Sequence, residues 1–244
     1  MKYTFRIFRF DPIRDAEPRF QEFFLEPRKN MPVLEALMDI RNEQDSSLAF
    51  RYSCREAVCG SCAMVINGDI DLACRTMIES LKSRVIVLEP LPNLEVLKDL
   101  VVDMKPFYDA LESVRPYIVP AANPPEKEFP IEDSELAKIE KFTNCILCGS
   151  CYAVCPVVTR DPRYIGSIAV AKFYRFVQDK RDRRPYSDWA RVDRDGENAG
   201  AWGCDTVFRC NLVCPRYVRP ADGIEAMRLK IVKARIQRLF GLKK

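Results

Sequence analysis

The sequence predicts an α+β protein, with a small mixed β-sheet in the first hundred residues and a helical domain after it. Three observations support this class. Short strand-like apolar segments are concentrated in the first part of the chain. Five prolines then fall between residues 116 and 130, and beyond them apolar residues recur at helical spacings of three and four. We place the domain boundary between residues 104 and 105, which gives domains 1–104 and 105–244.

The elements of the first domain follow one another in an informative order. Strands are predicted from the apolar pattern at residues 3–8, 20–25, 63–66, 70–73 and 85–88. Pro32 suits the first turn of a helix that continues to about Arg41. Asn67-Gly68 separates two strand segments and is a strong hairpin signal. Strand, helix, hairpin and closing strand in this order fit the β-grasp arrangement of plant-type ferredoxins.

The second domain is predicted to be all-helical and to resemble a bacterial ferredoxin extended by helices. Helices are expected over residues 134–142, 165–178 and 221–240. In the last of these, one face carries apolar residues that we assign to the core: Ile224, Met227, Ile231 and Ala234. The proline-rich segment before these helices is either an extended connection that wraps the surface or a flexible linker.

Two cysteine runs share one template at an offset of 59 residues. The first is Cys145, Cys148, Cys151 and Cys155-Pro156; the second is Cys204, Val207, Cys210 and Cys214-Pro215. In two-cluster ferredoxins the fourth cysteine of each run ligates the other cluster. This predicts a [4Fe-4S] cluster on Cys145, Cys148, Cys151 and Cys214. The other set is Cys155, Cys204 and Cys210, and because Val207 replaces a fourth sulfur we predict a [3Fe-4S] cluster there.

The remaining four cysteines form a third ligand set in the first domain. Cys54, Cys59 and Cys62 have the plant-type spacing of a [2Fe-2S] loop, and Cys74 follows. All eleven cysteines then have a ligand role. Disulfides suit short secreted chains, and zinc sites do not need the third cysteine and the Cys-Pro of each run. Single structural cysteines remain an alternative, above all for Cys62.

Small residues and prolines near the cysteines fit iron-sulfur chemistry. A loop that holds three thiolates around an anionic cluster must aim backbone N–H groups inward. Gly60-Ser61 and Gly149-Ser150 occupy positions where bulky side chains would crowd the sulfides. Pro156 and Pro215 each follow the last cysteine of a run, where proline can open a helix.

Composition bounds the function. The net charge of +4 is too small to indicate nucleic acid. The longest apolar runs are far below the roughly 20 residues that cross a bilayer, and the chain begins without an apolar signal stretch. Cysteine use indicates a reducing compartment, cytoplasm or organelle matrix, because exposed thiols would be oxidised elsewhere before they bind iron. The absence of histidine is consistent with a chain that has no catalytic general base.

With these cysteine motifs, the chain resembles the iron-sulfur subunits of succinate:quinone oxidoreductases, which are the succinate dehydrogenases and quinol:fumarate reductases. The resemblance covers essentially the whole length. Its first motif is the stretch from Arg51 to Met64 with Cys74. The second runs from Cys145 to Cys151 with Cys155-Pro156, and the third is Phe208-Arg209-Cys210 with Cys214-Pro215.

The resemblance implies cofactors and partners. In the family this subunit carries one [2Fe-2S], one [4Fe-4S] and one [3Fe-4S] cluster, and it has no catalytic residue of its own. It connects a flavoprotein subunit with covalently bound FAD, which interconverts succinate and fumarate, to a membrane anchor that exchanges electrons with quinone. The implied location is the cytoplasmic side of the cell membrane, where the anchor subunit holds the chain peripherally.

Two departures from the family pattern concern the quinone. Ubiquinone-using relatives have a tryptophan and a histidine where this sequence has Arg160 and Asp205. The family's dihaem branch, whose cytochrome b anchor takes the electrons through haem to menaquinone, fits this sequence better.

Two alternative functions remain at the level of sequence. The chain could serve another flavin-linked dehydrogenase or a thiol-dependent fumarate reductase, although the latter adds cysteine-rich segments that are absent after Cys214. A structural iron-sulfur protein that binds nucleic acid would need a stronger basic patch.

The basic residues near the C-terminus indicate either a solvated helix face or contact with an anionic membrane or the anchor. They are Lys230, Lys233, Arg235, Arg238, Lys243 and Lys244.

Overall fold

The computed structural model describes residues 2–123, 125–194 and 199–241. Two compact units are present. The first unit contains the chain up to Met104 together with Ile146–Val154, and the second contains Lys105–Cys145 and the chain from Cys155 onward. The predicted domains, 1–104 and 105–244, differ from these units in the segment Ile146–Val154.

The first unit is built on a five-stranded sheet. Its strands, numbered in chain order, are β1 Tyr3–Arg9, β2 Arg19–Leu25, β3 Ala63–Ile66, β4 Asp69–Leu72 and β5 Val85–Glu89. They lie in the order β2-β1-β5-β3-β4, and only β1 and β5 are parallel. Two short strands, β6 Val96–Lys98 and β7 Val101–Val102, pair separately. The predicted α+β class and β-grasp arrangement are confirmed.

The described residues contain eight α-helices, numbered in chain order. They are α1 Val33–Glu43, α2 Lys105–Glu112, α3 Asp133–Thr143, α4 Ser150–Ala153, α5 Pro156–Arg160, α6 Ser167–Gln178, α7 Arg209–Leu212 and α8 Pro220–Leu239. Helices α1 and α4 belong to the first unit and the others to the second. Short 3₁₀ helices cover Ile78–Leu81, Tyr186–Arg191 and Ala201–Gly203. The predicted long helices are confirmed within two residues at each end.

The core of the first unit forms between its sheet and α1. Phe5 and Ile7 alternate inward from β1 and are fully buried. Helix α1 begins directly after Pro32, as predicted, and buries the side of the helix that carries Val33, Leu37 and Ile40. The predicted hairpin is confirmed, because Asn67 and Gly68 both have positive φ, as a type I′ turn requires.

The core of the second unit forms where α6 packs on α8. Ile224, Met227 and Ile231 of α8 are buried, as predicted from their spacing, whereas Ala234 is only half-buried. Gly223 brings the two helices close, because a Cβ at this position would lie 2.9 Å from the Ala171 Cβ.

The proline-rich connection begins as an ordered segment. The buried Arg184 guanidinium donates to the carbonyl oxygens of Val114, Arg115 and Tyr117 at 3.4, 3.3 and 2.8 Å. The Arg183 N–H donates to the carbonyl of Val119 at 2.7 Å. Residues 114–119 therefore fit the predicted extended connection. Among the prolines of this connection, Pro124 lies outside the described residues.

None of the helices in the described part of the chain combines the length and apolar composition that crossing a membrane requires.

The segment Ile146–Val154 is held to the first unit by close contacts. Asn93 Nδ2 donates to the carbonyl of Ala153 at 2.6 Å. Gly60, with φ of +75°, packs so closely that a Cβ would lie 2.7 Å from the Cys148 Cβ and 2.9 Å from its Cα. In the described structure any side chain at position 60 would clash with Cys148, so the close packing requires glycine there. The sequence had assigned its small size to the space that cluster sulfides need.

We expect Gly60→Ala to destabilise the protein much more than Gly68→Ala. Both glycines have positive φ, but a Cβ at Gly68 has no neighbour within 4 Å. The control should therefore lose only the backbone strain, about 1 kcal/mol. At Gly60 overpacking should add about 1–3 kcal/mol. Thermal denaturation followed by circular dichroism and by absorption of the bound clusters measures both. Equal losses in the two variants would show that the contact with Cys148 contributes nothing.

Candidate metal centres

The loop that carries the first cysteine set directs backbone N–H groups at its own sulfurs. Cys54 Sγ accepts from the N–H groups of Glu56, Val58 and Cys59 at 3.4, 3.3 and 3.2 Å. Ala57 donates to Cys74 Sγ at 3.2 Å. Such donors stabilise thiolate charge, so the loop has the inward-facing amides predicted from sequence.

The backbone reaches this arrangement through left-handed residues. Arg55, Ala57 and Gly60 have φ of +62°, +55° and +75°. Two of the three are not glycine and carry conformational strain, which persists only where the surrounding structure enforces it. Strain at this density is typical of a functional loop.

The four cysteines of this set influence one another electrostatically. Burial alone would raise the pKa of Cys59, but hydrogen bonds from Ser61 and Cys54 lower it to about 6. Burial raises the pKa of Cys62 to about 12, and the neighbouring Cys74 and Cys59 contribute to the rise. Cys62 is thus close to two other members of the set. Its predicted role as a ligand, rather than as an isolated core residue, fits this position.

The two cysteine runs of the predicted dicluster template have the same backbone conformation at the offset of 59 residues. Leu147 and Thr206 have φ of +55° and +57°, and Gly149 and Phe208 have φ of +79° and +58°. Each run then continues into one short helix, α4 or α7, and these start and end at equivalent positions. Val207, half-exposed, therefore occupies the local position that Cys148 has in the first run. Phe208 adopts at a steric cost the conformation that Gly149 adopts freely.

The set predicted to hold three irons is brought together within the second unit. Cys155 lies directly before α5, Cys204 directly after a 3₁₀ turn, and Cys210 in α7. Burial raises the pKa of Cys210 to about 11, and the charges of Cys204 and Cys155 add to the rise. Burial likewise raises the pKa of Cys155, with a smaller effect of Cys204. Iron, which binds thiolates, would have to displace these protons.

Two buried hydroxyls face this set. Tyr164 Oη lies beside the sulfur of Cys204 and Ser167 Oγ beside that of Cys210. Neither oxygen makes a regular hydrogen bond within the described residues. Buried donors without partners are costly unless something accepts from them. The sulfur atoms of an iron-sulfur cluster are suitable acceptors, so the donor set fits such a group.

Arg228 of α8 holds the loop around Cys204 in place. Its guanidinium donates to the carbonyl oxygens of Ala201 and Cys204 at 2.8 and 2.6 Å and to Thr206 Oγ1 at 3.1 Å. The Thr206 N–H in turn donates to Cys204 Sγ at 3.3 Å. A positive charge and a rigid loop are thus placed beside one sulfur of the set.

The set predicted to hold four irons is divided between the two units. Cys148 and Cys151 belong to the first unit, and Cys145 and Cys214 belong to the second. Within each unit the sulfurs have polar neighbours: Ser150 Oγ lies 3.3 Å from Cys148 Sγ, and the Val218 N–H donates to Cys214 Sγ at 3.3 Å. This ligand set stays a prediction.

Lys172 of α6 is a charged neighbour of Cys145 that the sequence did not single out. Its Nζ donates to the carbonyl of Phe142 at 3.0 Å. Burial lowers the pKa of Lys172, and the charge of Cys145 opposes this effect.

Pro156 opens α5 as predicted. The same prediction for Pro215 is wrong, because Pro215 lies in a turn and the next helix begins at Pro220.

In the described ranges, no group of three or more His, Cys, Asp or Glu side chains is arranged to hold one metal ion. The cysteine sets described above are instead surrounded by backbone amides and buried hydroxyls.

The two residues that depart from the family pattern contact each other. Arg160 donates through Nη1 and Nη2 to the two carboxylate oxygens of Asp205 at 2.8 and 3.1 Å. The ion pair is partly exposed and connects the end of α5 to the residue after Cys204. The Arg160 guanidinium lowers the pKa of Asp205, so the carboxylate is charged at neutral pH.

Comparisons with known proteins identify two iron-sulfur domains in this chain. Residues 4–109 match the family described as 2Fe-2S iron-sulfur cluster binding domain, and residues 141–218 match the 4Fe-4S dicluster domain. A succinate dehydrogenase [ubiquinone] iron-sulfur subunit of Oryza sativa subsp. japonica is 39% identical over 92% of this chain and 80% of the relative. A fumarate reductase iron-sulfur subunit of Mycobacterium tuberculosis is 34% identical over 98% of this chain and 96% of the relative.

A solved structure shares the fold. A chain of the Mycobacterium smegmatis Sdh1 complex in the apo form superposes with a TM-score of 0.84 at 24% identity, and the match covers 96% of both chains.

We expect Tyr164→Phe to lower the reduction potential of the cluster predicted on Cys155, Cys204 and Cys210 by about 40 mV. The figure corresponds to one hydrogen bond of about 1 kcal/mol that strengthens on reduction. Tyr174→Phe, a half-buried tyrosine whose pKa shift has burial as its single cause, serves as the control and should leave the potential unchanged. Redox titration followed by electron paramagnetic resonance measures both. An unchanged potential in Tyr164→Phe would contradict the hydrogen bond.

Proposed function

The chain belongs to the iron-sulfur subunits of succinate dehydrogenases and fumarate reductases, and from that membership we propose that it conducts electrons between two partner subunits. One partner is a flavoprotein that carries FAD and interconverts succinate and fumarate. The other is a membrane anchor that exchanges electrons with quinone. We further propose that the chain is held peripherally by the anchor on the cytoplasmic side of the membrane.

Three clusters are proposed, with ligand sets taken from the motif spacing. They are [2Fe-2S] on Cys54, Cys59, Cys62 and Cys74, [4Fe-4S] on Cys145, Cys148, Cys151 and Cys214, and [3Fe-4S] on Cys155, Cys204 and Cys210. When bound, such clusters would accept and release single electrons. The protein would supply thiolates, orientation and polar groups that set the potentials.

The observation that carries the proposal is the contact between Gly60 and Cys148. Gly60 belongs to the loop that carries Cys54, Cys59 and Cys62, and Cys148 is a predicted ligand of the four-iron set. The absence of a side chain at Gly60 lets the two ligand loops touch through their backbones. Loops in direct contact support a series of centres rather than separate structural sites.

The residues of this chain have distinct tasks under this proposal. The N–H groups of Glu56, Val58 and Cys59 stabilise the Cys54 thiolate. Tyr164 and Ser167 supply buried donors to the three-iron set. Under this proposal substrate chemistry belongs to the flavoprotein partner.

We also propose that the anchor is a cytochrome b of the dihaem menaquinone type. Arg160 and Asp205 hold each other in a bidentate ion pair at the two positions where ubiquinone-using relatives have tryptophan and histidine. Both side chains are thereby committed to each other, which supports a quinone site built by the anchor without this chain.

Metal and sulfide analysis of the anaerobically purified protein tests the proposed clusters. Three clusters correspond to roughly nine irons and ten sulfides per chain. Zinc, or iron for one cluster only, would overturn the proposal.

Val207→Cys should allow a fourth iron at the three-iron site. The substituted thiol would stand in the conformation that Cys148 has in the first run, since the backbone there is already equivalent. We expect the three-iron resonance near the free-electron position, which the oxidised wild-type protein should give, to be absent from the oxidised variant, and the potential of the site to fall. Leu212→Cys adds an exposed thiol to the same run away from the ligand position and is the control. Unchanged spectra in Val207→Cys would contradict the ligand assignment.

The purified complex should contain two b-type haems per anchor, measured by absorption and redox titration. The double variant Arg160→Gln with Asp205→Asn should keep the KM for quinone within about twofold, because the ion pair is not part of a quinone pocket. An anchor with one haem or none, or a large rise in KM, would contradict the dihaem proposal.

A further inference from the structure

The C-terminal helix α8 has a second apolar stripe on its outer side. Leu229, Val232, Ile236 and Leu239 follow one another at spacings of three, four and three, so they share one face. They are 74, 43, 50 and 81% exposed. Single exposed apolar residues are ordinary, but a continuous stripe over about 15 Å of helix is not.

This stripe is distinct from the core face of the same helix. The large apolar residues that α8 buries are Ile224, Met227 and Ile231, and the second unit covers them fully. The helix is therefore anchored by one apolar face and presents another. A solvated helix face, which was one of the two interpretations of its basic residues, does not account for the second stripe.

The charges on α8 from Arg228 onward are all positive, whereas Glu225 lies one turn before Leu229 on the same face. The last nineteen residues of the chain contain seven basic residues and no acidic residue, while the preceding 225 have a net charge of −3. Along the helix, Lys230 and Lys233 lie on one side of the stripe. Arg228 and Arg235 lie on the other side, where Arg228 donates to the carbonyls of its own unit and Arg235 forms an ion pair with Asp193. Lys243 and Lys244 belong to this sequence stretch but lie outside the described residues.

We propose that the outer face of α8 binds an anionic lipid surface directly. An exposed apolar stripe flanked by lysine and arginine on one helix is the pattern of helices that lie in the plane of a membrane interface. Long lysine side chains can keep their charge at the headgroups while the stripe enters the acyl boundary. A second copy of this chain is disfavoured as the occupant, because it would bring two positively charged faces together.

The proposal has a consequence for orientation. Arg228 immediately precedes Leu229 of the stripe, and its guanidinium donates to the Cys204 carbonyl. Lipid contact along α8 would therefore turn the third cysteine motif toward the membrane. The inference itself rests on exposure and charge, so it can hold or fail independently of the proposed clusters and partners.

Vesicle flotation of the full, cluster-loaded chain tests the proposal. We expect binding to vesicles of about one-third phosphatidylglycerol in phosphatidylcholine to exceed binding to pure phosphatidylcholine by about tenfold or more, and to weaken with salt. Ile236→Gln and Leu239→Gln should each reduce binding several-fold, and Ile236→Leu should retain it. Leu97→Gln, an exposed leucine of β6, is the matched control.

Three outcomes would overturn the proposal. The first is equal binding to neutral and anionic vesicles, and the second is unchanged binding in both glutamine variants. The third is no vesicle binding by the wild-type chain. Loss of a co-purifying protein subunit in the glutamine variants would then identify the face as a protein contact. Circular dichroism and cluster absorption, unchanged in the variants, exclude unfolding as the cause of lost binding.

Discussion

Hydrogen bonds from backbone N–H groups to cysteine sulfur are the interaction on which the sites depend. Thiolates gathered around a cluster place several negative charges in a small, partly buried volume, and such charge is costly without donors. In the first loop five N–H groups point at sulfurs of Cys54, Cys59 and Cys74. This geometry requires reversals of the chain at single residues, which explains the left-handed conformations of Arg55 and Ala57.

The same constraint explains why the two later runs share a backbone although they share few side chains. Leu147 and Thr206 differ chemically, yet both are left-handed. Gly149 is replaced by Phe208, which keeps that conformation at a cost of about 1–2 kcal/mol. Sequence identity at these positions is thus less informative than the spacing of the cysteines, because the spacing determines where the chain must reverse. Val207 is unusual in that the residues on either side of it retain the conformations found around Cys148, while its own side chain cannot ligate.

Much of this could be predicted from the sequence because the signals are local. The type I′ turn at Asn67-Gly68, the helix after Pro32 and the cysteine spacings each depend on neighbouring residues. Tyr164, Ser167 and Arg228 were missed because they approach the cysteines only through tertiary packing and carry no motif. The segment Ile146–Val154 was placed with the second domain because it follows in sequence. Its contacts with Gly60 and Asn93 instead bind it to the first unit.

Helix α8 shows where periodicity reaches its limit. Its inner residues, Ile224, Met227 and Ile231, and its outer residues, beginning with Leu229 and Val232, both recur at spacings of three and four. The sequence pattern alone offers two equivalent faces, of which only the one with Ile224 is predicted as the core face. Only packing distinguishes them, because the second unit covers the inner residues and leaves the outer ones exposed. An apolar face that folding does not bury, on a helix whose C-terminal half carries basic and no acidic residues, is a feature that the stability of this chain alone does not require. Its explanation has to be sought in what the helix touches outside the chain.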